Sequence, residues 1–428
     1  MYLSAMRKFV LLTILLNSWL YQVAQNVDYA QGIIDTLTSD YFYGRGYVQS
    51  GDEKAARFIS DEFQKLGVKD LNGERFHEFS FPVNTFPGDM QVEVDGKMLR
   101  TGIDYVVDPS SAGIHQKNIK IKHLSEYVLL DDKLFAKAMK RNHRAYAVMV
   151  DTVSSDSTAK ARRKEFINGF KGHCLIQIET DLTWSVARHQ SDQVIIKLKP
   201  GWEAASTVSL QIDAEFQKNH VASNVLGFIP GTAHPDSFIV LTGHYDHLGG
   251  MGNATYIPGA NDNASGIAMI LDMADYFVKN PPRYSVVLIG FAGEEAGLVG
   301  SYFFVQEMDQ YLDKNRIKFL LNMDLMGSGE KGIMAVNGKV FTDEYALLEN
   351  RNKTGNYLTE VRSRGKAANS DHYFFSEAGV HCFFVYLMGD YSYYHAVSDS
   401  SDNLRLTPSS YNGAFNLLTQ FLKDLMRE

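Results

Sequence analysis

The chain has 428 residues, of which 45% are hydrophobic and 12% aromatic, so it can bury a large core and has room for two or three structural units. Its formal net charge of -8 argues against nucleic acid as a partner. The basic cluster at residues 160–164 is short and fits the solvated face of a helix. The composition is that of an ordinary globular protein.

The first 25 residues have the pattern of a secretory signal. Arg7 and Lys8 precede an apolar stretch at residues 9–20, which is too short to span a bilayer as a helix. We therefore expect residues 1–25 to be a signal peptide and the protein to be exported, to the periplasm or the extracellular space. A buried N-terminal helix is the alternative. The absence of a cysteine near position 25 argues against a lipid anchor, and no later segment predicts a membrane span.

The two cysteines, Cys174 and Cys382, both lie in apolar runs. We expect them to be buried core residues, although export would permit a disulfide.

The segment from residue 26 to about residue 83 has a helical pattern. In DEKAARFISDEFQKLGV the apolar residues recur at helical spacing, and Gly67 is well placed to end the helix. We therefore expect a helical segment over residues 26–83.

Residues 84–216 have a different texture, with short alternating segments such as MQVEVDG, NIKIKHL, AYAVMVD and DQVIIKLK. Alternation of this kind predicts strands, so we expect a separable, mostly β insertion with a basic helix in it. Its histidines are scattered and fit surface or packing positions: His115, His123, His143, His173 and His189.

From residue 217 to residue 428, apolar strand-like segments alternate with helical ones. SFIVLTGHYDH precedes ASGIAMILDMADYFVKN, YSVVLIGFAGEE precedes LVGSYFFVQEMDQYL, and IKFLLNMDLMG precedes TDEYALLENRNK. This alternation predicts a three-layer αβα domain with a largely parallel sheet. In such sheets ligands bind beyond the carboxyl ends of the strands, so the chemistry is expected just after each apolar run.

Residues that bind metals or transfer protons stand at these strand ends: His244, Asp246, Asp262, Glu294, Glu295, Asp324 and His395. Two imidazoles and three carboxylates could together hold two adjacent metal ions: His244, His395, Asp262, Glu295 and Asp324. Three carboxylates would repel one another without cations, and two divalent ions offset that charge. Asp262, in a glycine-containing loop, is the candidate for a ligand shared by both ions.

Each of these residues also has a simpler interpretation when it is taken alone. His395 fits a hydrogen-bonded loop residue, Asp262 fits the N-cap of a helix, and Asp324 and Asp246 fit the anchors of turns. Their joint occurrence at successive strand ends favours the metal site. Metal-bound imidazoles usually donate their second ring N–H to a carboxylate, so we expect Asp246 to accept from His244.

Six motifs resemble a known family: GHYDH, PGANDNASG, FAGEEAGLVGS, NMDLMG, SDHYFF and YYHAVSD. They are similar to those of the di-zinc aminopeptidases of the leucyl aminopeptidase and aminopeptidase Y type, a family that includes glutamate carboxypeptidase and, more distantly, the glutaminyl cyclases. The resemblance is strong over residues 218–428, and the N-terminal segment looks like the family's helical lead-in. The insertion is similar, more weakly, to a protease-associated domain.

The resemblance implies a zinc aminopeptidase that acts on peptides with a free N-terminus. One Zn²⁺ is then expected at His244, Asp262 and Asp324, and a second at Asp262, Glu295 and His395. Glu294 matches the family's general base, and Asp246 matches the carboxylate behind His244.

The adjacent glutamates raise a question of geometry. On extended backbone, neighbouring side chains point to opposite sides, so we expect Glu295 to face a metal ion and Glu294 to face a water molecule. His247 is less expected to be a ligand, since His244 and Asp246 already form a ligand and its partner.

Three other functions remain open. A glutaminyl cyclase is disfavoured because DNASGIA looks like the peptidases, and a non-enzymatic binding ectodomain is disfavoured because every ligand and the base are present. A carboxypeptidase or dipeptidase of the same fold is harder to separate. No Gly-x-Ser-x-Gly, His-Glu-x-x-His or paired Cys-x-x-Cys motif points to another class. We expect the insertion to shield the cleft from large proteins.

Overall fold

The computed structural model describes residues 26–151 and 155–427, so the predicted signal peptide lies outside the described residues. Among them, no helix is long and apolar enough to cross a membrane. The described helices are α1 (Val27–Leu37), α2 (Gly51–Leu66), α3 (Glu126–Leu130), α4 (Asp132–Lys140), α5 (Ser157–Asn168), α6 (Ser265–Lys279), α7 (Val299–Gln306), α8 (Thr342–Gly355), α9 (His372–Glu377) and α10 (Pro408–Leu425).

The strands form two large sheets and one short hairpin. In chain order they are β1 (Phe76–Thr85), β2 (Met90–Val94), β3 (Lys97–Met98), β4 (Tyr105–Val107), β5 (Ile114–Leu124), β6 (Ala147–Val150), β7 (Cys174–Ile178), β8 (Val194–Leu198), β9 (Thr207–Ile212), β10 (Glu215–Ile229), β11 (His234–His244), β12 (Gly249–Gly250), β13 (Tyr256–Ile257), β14 (Tyr284–Phe291), β15 (Ile317–Met323), β16 (Ile333–Val336), β17 (Val361–Ser363) and β18 (Cys382–Leu387).

The main sheet has eight strands in the order β1-β10-β14-β11-β15-β18-β16-β17. Its four middle strands, β14-β11-β15-β18, are parallel. The pairs β1-β10, β10-β14 and β16-β18 are antiparallel, so the sheet is mixed at its flanks. The predicted α/β class is confirmed, and the predicted parallel arrangement holds for the centre of the sheet.

Consecutive residues of the middle strands enter two different apolar cores. Val240 and Val287 face a core that includes residues of α7 and α9. Their neighbours Ile239 and Val286 face a core that includes residues of α1, α2, α6 and α10. Because side chains alternate along a strand, helices on both faces make the predicted three layers.

The N-terminal segment is helical only in part. Gly67 ends α2 in the left-handed conformation, at φ 83°, and its N–H donates to the carbonyl of Gln64. Beyond it, Phe79, Phe81 and Val83 are buried while the residues between them are more exposed. This period of two forms strand β1, so the expectation of helix as far as residue 83 was too broad.

The insertion sheet lies between β1 and β10 in the chain and has the order β3-β2-β9-β5-β6-β7-β8-β4. Strands β5 to β8 pair in parallel. Helices α3, α4 and α5 pack on one face through Leu129, Phe135 and Phe166. The insertion is therefore itself an α/β layer structure, with more helix than the single basic helix that the sequence predicted.

The other face of the insertion sheet packs against the main domain. Leu248, Met251 and Ile257, from the segment around β12 and β13, join the same core as Phe86 and Trp184. The two cysteines are free and buried, in β7 and in β18, as core residues.

Candidate active site

The predicted site residues gather at the carboxyl ends of the middle strands of the main sheet. His244 is the last residue of β11, Asp324 follows β15 directly, and Glu294 and Glu295 follow β14 after a two-residue link. His395 lies in the long loop after β18. Parallel strands end at the same edge of a sheet, which explains why these distant segments meet.

Asp262 lies at the centre of the cluster. Its Oδ1 is 3.3 Å from Nε2 of His244, which is also 3.5 Å from Oδ2 of Asp324. Its Oδ2 is 3.2 Å from Nε2 of His395, which is also 3.4 Å from Oε2 of Glu295. Asp262 thus presents one oxygen to each of two groups, each made of one histidine and one further carboxylate.

This donor set fits bound cations. The side chains of Asp262, Glu295 and Asp324 are only 6%, 5% and 8% exposed. Within the described residues, Oδ1 of Asp324 is buried without a hydrogen-bond partner. Like charges buried this closely require a compensating positive charge, and imidazole with carboxylate is a ligand set for divalent metals.

The pKa values show how strongly the cluster favours positive charge. Burial lowers the pKa of His395, but the charges of Glu295 and Asp262 outweigh burial and raise it to about 9. The pKa of His244 is likewise raised well above its ordinary value, because Glu294 and Asp324 outweigh its burial. A divalent cation would take the place of the imidazole protons, since metal ligands must be deprotonated.

Another carboxylate, that of Asp399, holds the loop that carries Asp262. Ala260–Ala264 forms a short π-helical turn ahead of α6. Asp399 accepts hydrogen bonds from the backbone N–H of Asn261, at 2.8 Å, and of Asp262, at 3.2 Å. The peptide bond between Asp262 and Asn263 is cis.

Arg45 also holds this loop, and its role was not predicted from the sequence. Its guanidinium is fully buried, and burial lowers its pKa to about 10. It donates to five backbone carbonyls, those of Leu37, Tyr245, Pro258, Gly259 and Asp262. One side chain thereby ties the N-terminal segment to the two loops that carry the site.

Glu294 and Glu295 lie in a turn and not on extended backbone, so that expectation was wrong. Gly293 has φ 69°, and the N–H groups of Gly297 and Leu298 both donate to the carbonyl of Glu294. The turn changes the direction of the chain directly after β14. Burial raises the pKa of Glu294 well above its ordinary range, and the charge of Glu295 raises it further.

Asp246 stabilises this turn. Its carboxylate accepts hydrogen bonds from the backbone N–H of Glu294, at 3.2 Å, and of Glu295, at 3.3 Å. The hydroxyl of Tyr47 donates to the same carboxylate at 2.7 Å. The acceptor for Nδ1 of His244 is instead the backbone carbonyl of Asp246, at 3.1 Å, whereas Oδ1 is 3.9 Å away. The expected carboxylate–histidine contact is therefore replaced by a main-chain contact.

Two further polar residues lie behind the carboxylates. Nδ1 of His247 is 2.7 Å from Oε1 of Glu295 and 4.0 Å from Oδ1 of Asp262, so His247 lies beside both carboxylates. The hydroxyl of Ser370 donates to Oδ2 of Asp324 at 3.3 Å and accepts from the amide of Asn322 at 2.8 Å. Ser370 belongs to the SDHYFF motif, which was the available sequence signal.

The same motif contains two further buried titratable residues, Asp371 and His372. Burial raises the pKa of Asp371 to about 7 and lowers the pKa of His372 to about 4. The sequence assigned neither of them a role. The insertion also reaches the site, because the backbone carbonyl of Trp184 lies 3.0 Å from Nδ1 of His395.

Comparison with known proteins relates part of the chain to a family. Residues 224–419, which carry every residue of the cluster, match peptidase family M28. We refer to residues 224–419 as the M28 domain, after this match. Among curated proteins, the chain is 30% identical to aminopeptidase YwaD of Bacillus subtilis over 38% of the chain and 35% of that protein. It is 35% identical to a probable zinc metalloprotease of Leptosphaeria maculans over 26% of each chain.

The chain therefore aligns with about a quarter to a third of the length of these curated relatives. A further relative, a glutamate carboxypeptidase 2 homolog of Caenorhabditis elegans, is 28% identical over 40% of the chain and 21% of that protein.

Solved structures show the same fold over almost the whole chain. The zinc aminopeptidase BSAP from Bacillus subtilis superposes with a TM-score of 0.70 at 18% identity, covering 94% of this chain and 96% of that one. The peptidase M28 precursor from Shewanella amazonensis gives a TM-score of 0.67 at 14% identity, covering 95% of each chain. At this coverage the shared fold includes the insertion as well as the M28 domain.

Proposed function

We propose that the protein is a zinc aminopeptidase that removes the N-terminal residue of peptides at a site for two Zn²⁺ ions. The observation that carries the proposal is the arrangement around Asp262, which presents one oxygen to the pair His244 and Asp324 and the other to the pair His395 and Glu295. The family match and the zinc enzymes among the relatives support the choice of metal.

His244, Asp262 and Asp324 would hold one ion, and Asp262, Glu295 and His395 the other. When bound, the ions supply a lowered pKa for water and polarisation of the scissile carbonyl. Glu294 acts as the general base: its carboxylate accepts the proton of the attacking water and then donates it to the leaving amine.

Asp246 and Tyr47 position Glu294 for this transfer. The carboxylate of Asp246 holds the N–H groups of both glutamates, and Tyr47 fixes that carboxylate from behind. The turn therefore presents a ligand and a base in fixed relation to each other. This explains why two like charges stand side by side after an apolar strand.

A substrate panel tests the proposal. We expect hydrolysis of aminoacyl-coumarins with a free amine, loss of activity with a chelator, and recovery with Zn²⁺. N-terminally blocked peptides should resist cleavage. Release of C-terminal residues from blocked peptides would establish a carboxypeptidase instead, and ring closure of N-terminal glutamine would establish a glutaminyl cyclase.

We also propose that the enzyme is exported, because residues 1–25 have the basic and apolar regions of a secretory signal. N-terminal sequencing of protein recovered outside the cytoplasm should begin beyond this segment. Protein that keeps Met1 and stays in the cytoplasm would contradict export without affecting the proposed chemistry.

A further inference from the structure

The ring of His395 is held between the candidate metal centre and the insertion. Its Nε2 faces Oδ2 of Asp262 at 3.2 Å and Oε2 of Glu295 at 3.4 Å. Its Nδ1 lies 3.0 Å from the backbone carbonyl of Trp184. A carbonyl can only accept, so Nδ1 carries the hydrogen in this contact, and in the neutral ring Nε2 is left with the lone pair that a metal ion requires.

A second hydrogen bond joins the same two residues in the opposite direction. The N–H of Trp184 donates to the carbonyl of His395 at 3.1 Å. His395 has φ 56°, a conformation that residues other than glycine adopt rarely. It lies in a segment without helix or strand, residues 388–407, and both hydrogen bonds with Trp184 come from outside that segment.

Trp184 belongs to the insertion, in the loop between β7 and β8, and is itself well anchored. Its side chain is buried in the core of the insertion, and its indole N–H donates to the carbonyl of Val107 at 2.8 Å. Its ring packs against Phe86, with the ring centroids 6.1 Å apart. Three residues farther on, the carbonyl of Ala187 accepts from the N–H of Asn84 at 2.8 Å.

The loop of His395 touches the insertion at a second point. Val397 packs against the core of the insertion sheet. A Cβ atom added to Gly102 would lie 2.5 Å from Cγ1 of Val397, so the absence of a side chain at Gly102 permits the close approach. The insertion therefore contacts this loop at His395 and again two residues farther on.

We infer that the insertion is a working part of the metal centre, in which Trp184 is a positioning residue that sets the ring orientation and tautomer of His395. This inference rests on the proposed function, because it requires His395 to be a metal ligand. It assigns the insertion a role beyond the shielding that the sequence suggested, which stays a prediction.

The test is a zinc titration of the full-length enzyme with Trp184→Ala. Loss of the anchored indole should release the backbone at this position and weaken one of the two zinc equivalents by about 10- to 100-fold, the usual effect of losing an outer partner of a metal ligand. The other equivalent should keep its affinity. Trp184→Phe removes the indole N–H and keeps an aromatic ring, so it should give a smaller loss of the same equivalent.

Two controls separate positioning from general destabilisation. Trp202→Ala is the same change in the same insertion: Trp202 packs at the edge of its core, with its ring 5.3 Å from the Lys97 ammonium, and it should leave both affinities unchanged. In a His395→Ala background, which should already lack the weakened equivalent, Trp184→Ala should cause no further change, because its effect passes through His395.

The outcomes are distinct. Wild-type affinity for both ions in Trp184→Ala would overturn the inference, as would the same loss in Trp202→Ala or a persistent loss in the His395→Ala background. If His395→Ala itself binds both ions normally, the proposed metal centre is wrong and the inference fails with it. If Trp184→Ala does not fold, the titration of Trp184→Phe decides by the same criteria.

Discussion

The main sheet and the insertion sheet are built alike, yet only one carries the candidate site. Each has eight strands, a run of parallel neighbours in its middle and helices packed on it. After the parallel strands of the main sheet come buried carboxylates and histidines. After β7 of the insertion sheet comes Glu179, which pairs with Arg163 at 2.7 Å. The same architecture can therefore carry an active site or lack one, and the residues in the loops after the strands make the difference.

The insertion contributes in a different way. Its contact with the site is made by the backbone carbonyl of Trp184. The identity of residue 184 therefore matters only because its side chain, packed in the insertion, holds that backbone in place. The main domain supplies the candidate ligands and base, and the insertion supplies the backbone carbonyl that contacts His395.

The largest expected effect is a rate loss at the turn after β14. Glu294→Gln keeps the shape of the side chain but cannot accept a proton, so kcat should fall by about 10²- to 10⁴-fold while zinc stays bound. Glu295→Gln should instead lose zinc. Steady-state kinetics and metal analysis of the purified variants measure both effects, and near-normal turnover of Glu294→Gln with zinc bound would refute its role.

The next effect concerns the order of the loops at the site. Arg45→Met leaves five backbone carbonyls without their donor in a buried position, so we expect a loss of about 3–5 kcal/mol in the free energy of unfolding. Denaturant unfolding measures it. Arg57→Met, on the exposed face of α2, is the matched control and should cost less than about 1 kcal/mol. Equal stability of the two variants would show that Arg45 is dispensable.

The third prediction concerns how the free energy of unfolding depends on pH, and it compares one buried histidine of the main domain, His372, with one of the insertion, His143. Burial lowers the pKa of His372 to about 4, so below pH 6.5 the unfolded chain takes up a proton that the folded chain refuses. The free energy of unfolding should therefore fall by about 1.4 kcal/mol per pH unit, or roughly 3 kcal/mol between pH 6.5 and pH 4. His372→Asn should remove this slope when unfolding is measured in the presence of a chelator.

His143 of the insertion is the control for that measurement. Burial also lowers its pKa, but its ring has two hydrogen-bond partners, the carbonyl of Ala138 and the hydroxyl of Tyr146. His143→Asn should change the slope less than His372→Asn does. An unchanged slope in His372→Asn would mean that other groups carry the acid dependence.

The smallest effect is expected at the strand end of the insertion. Glu179→Gln breaks a partly exposed ion pair and should cost less than about 1 kcal/mol, with kcat and zinc content unchanged. It occupies the position in the insertion sheet that corresponds most nearly to the glutamates of the main sheet. A marked loss of activity in this variant would contradict the claim that only the main sheet carries catalytic residues at its strand ends.

Much of the fold and the candidate ligand set could be predicted from the sequence because both depend on local patterns. Apolar runs followed by polar residues predict parallel strands and the place where they end. His244 and Asp324 follow such runs directly, and Asp262 stands in a loop of recognisable composition. The sequence failed at β1, where a short period-two pattern followed a strong helical one.

The supporting contacts could not be predicted because they join residues that are far apart in the chain. Arg45 and Tyr245 are separated by 200 positions, and His395 and Trp184 by 211. Several of these contacts end on backbone carbonyls, which every residue possesses, so no residue type signals them. The turn at Glu294 depends on Asp246, whose role as a turn anchor was noted only as an alternative to metal chemistry.

The attachment of the insertion bears on how such a protein can be dismantled or recombined. It leaves from Thr85 and returns at Glu215, which are paired neighbours on β1 and β10. Excision at these points breaks no ladder of the main sheet, so along the chain path the insertion is a removable module. Its contacts show that it is not removable without loss, because the loop that carries His395 would lose the hydrogen bonds to Trp184. An engineered minimal enzyme, or a natural relative without this module, must supply another acceptor for that imidazole.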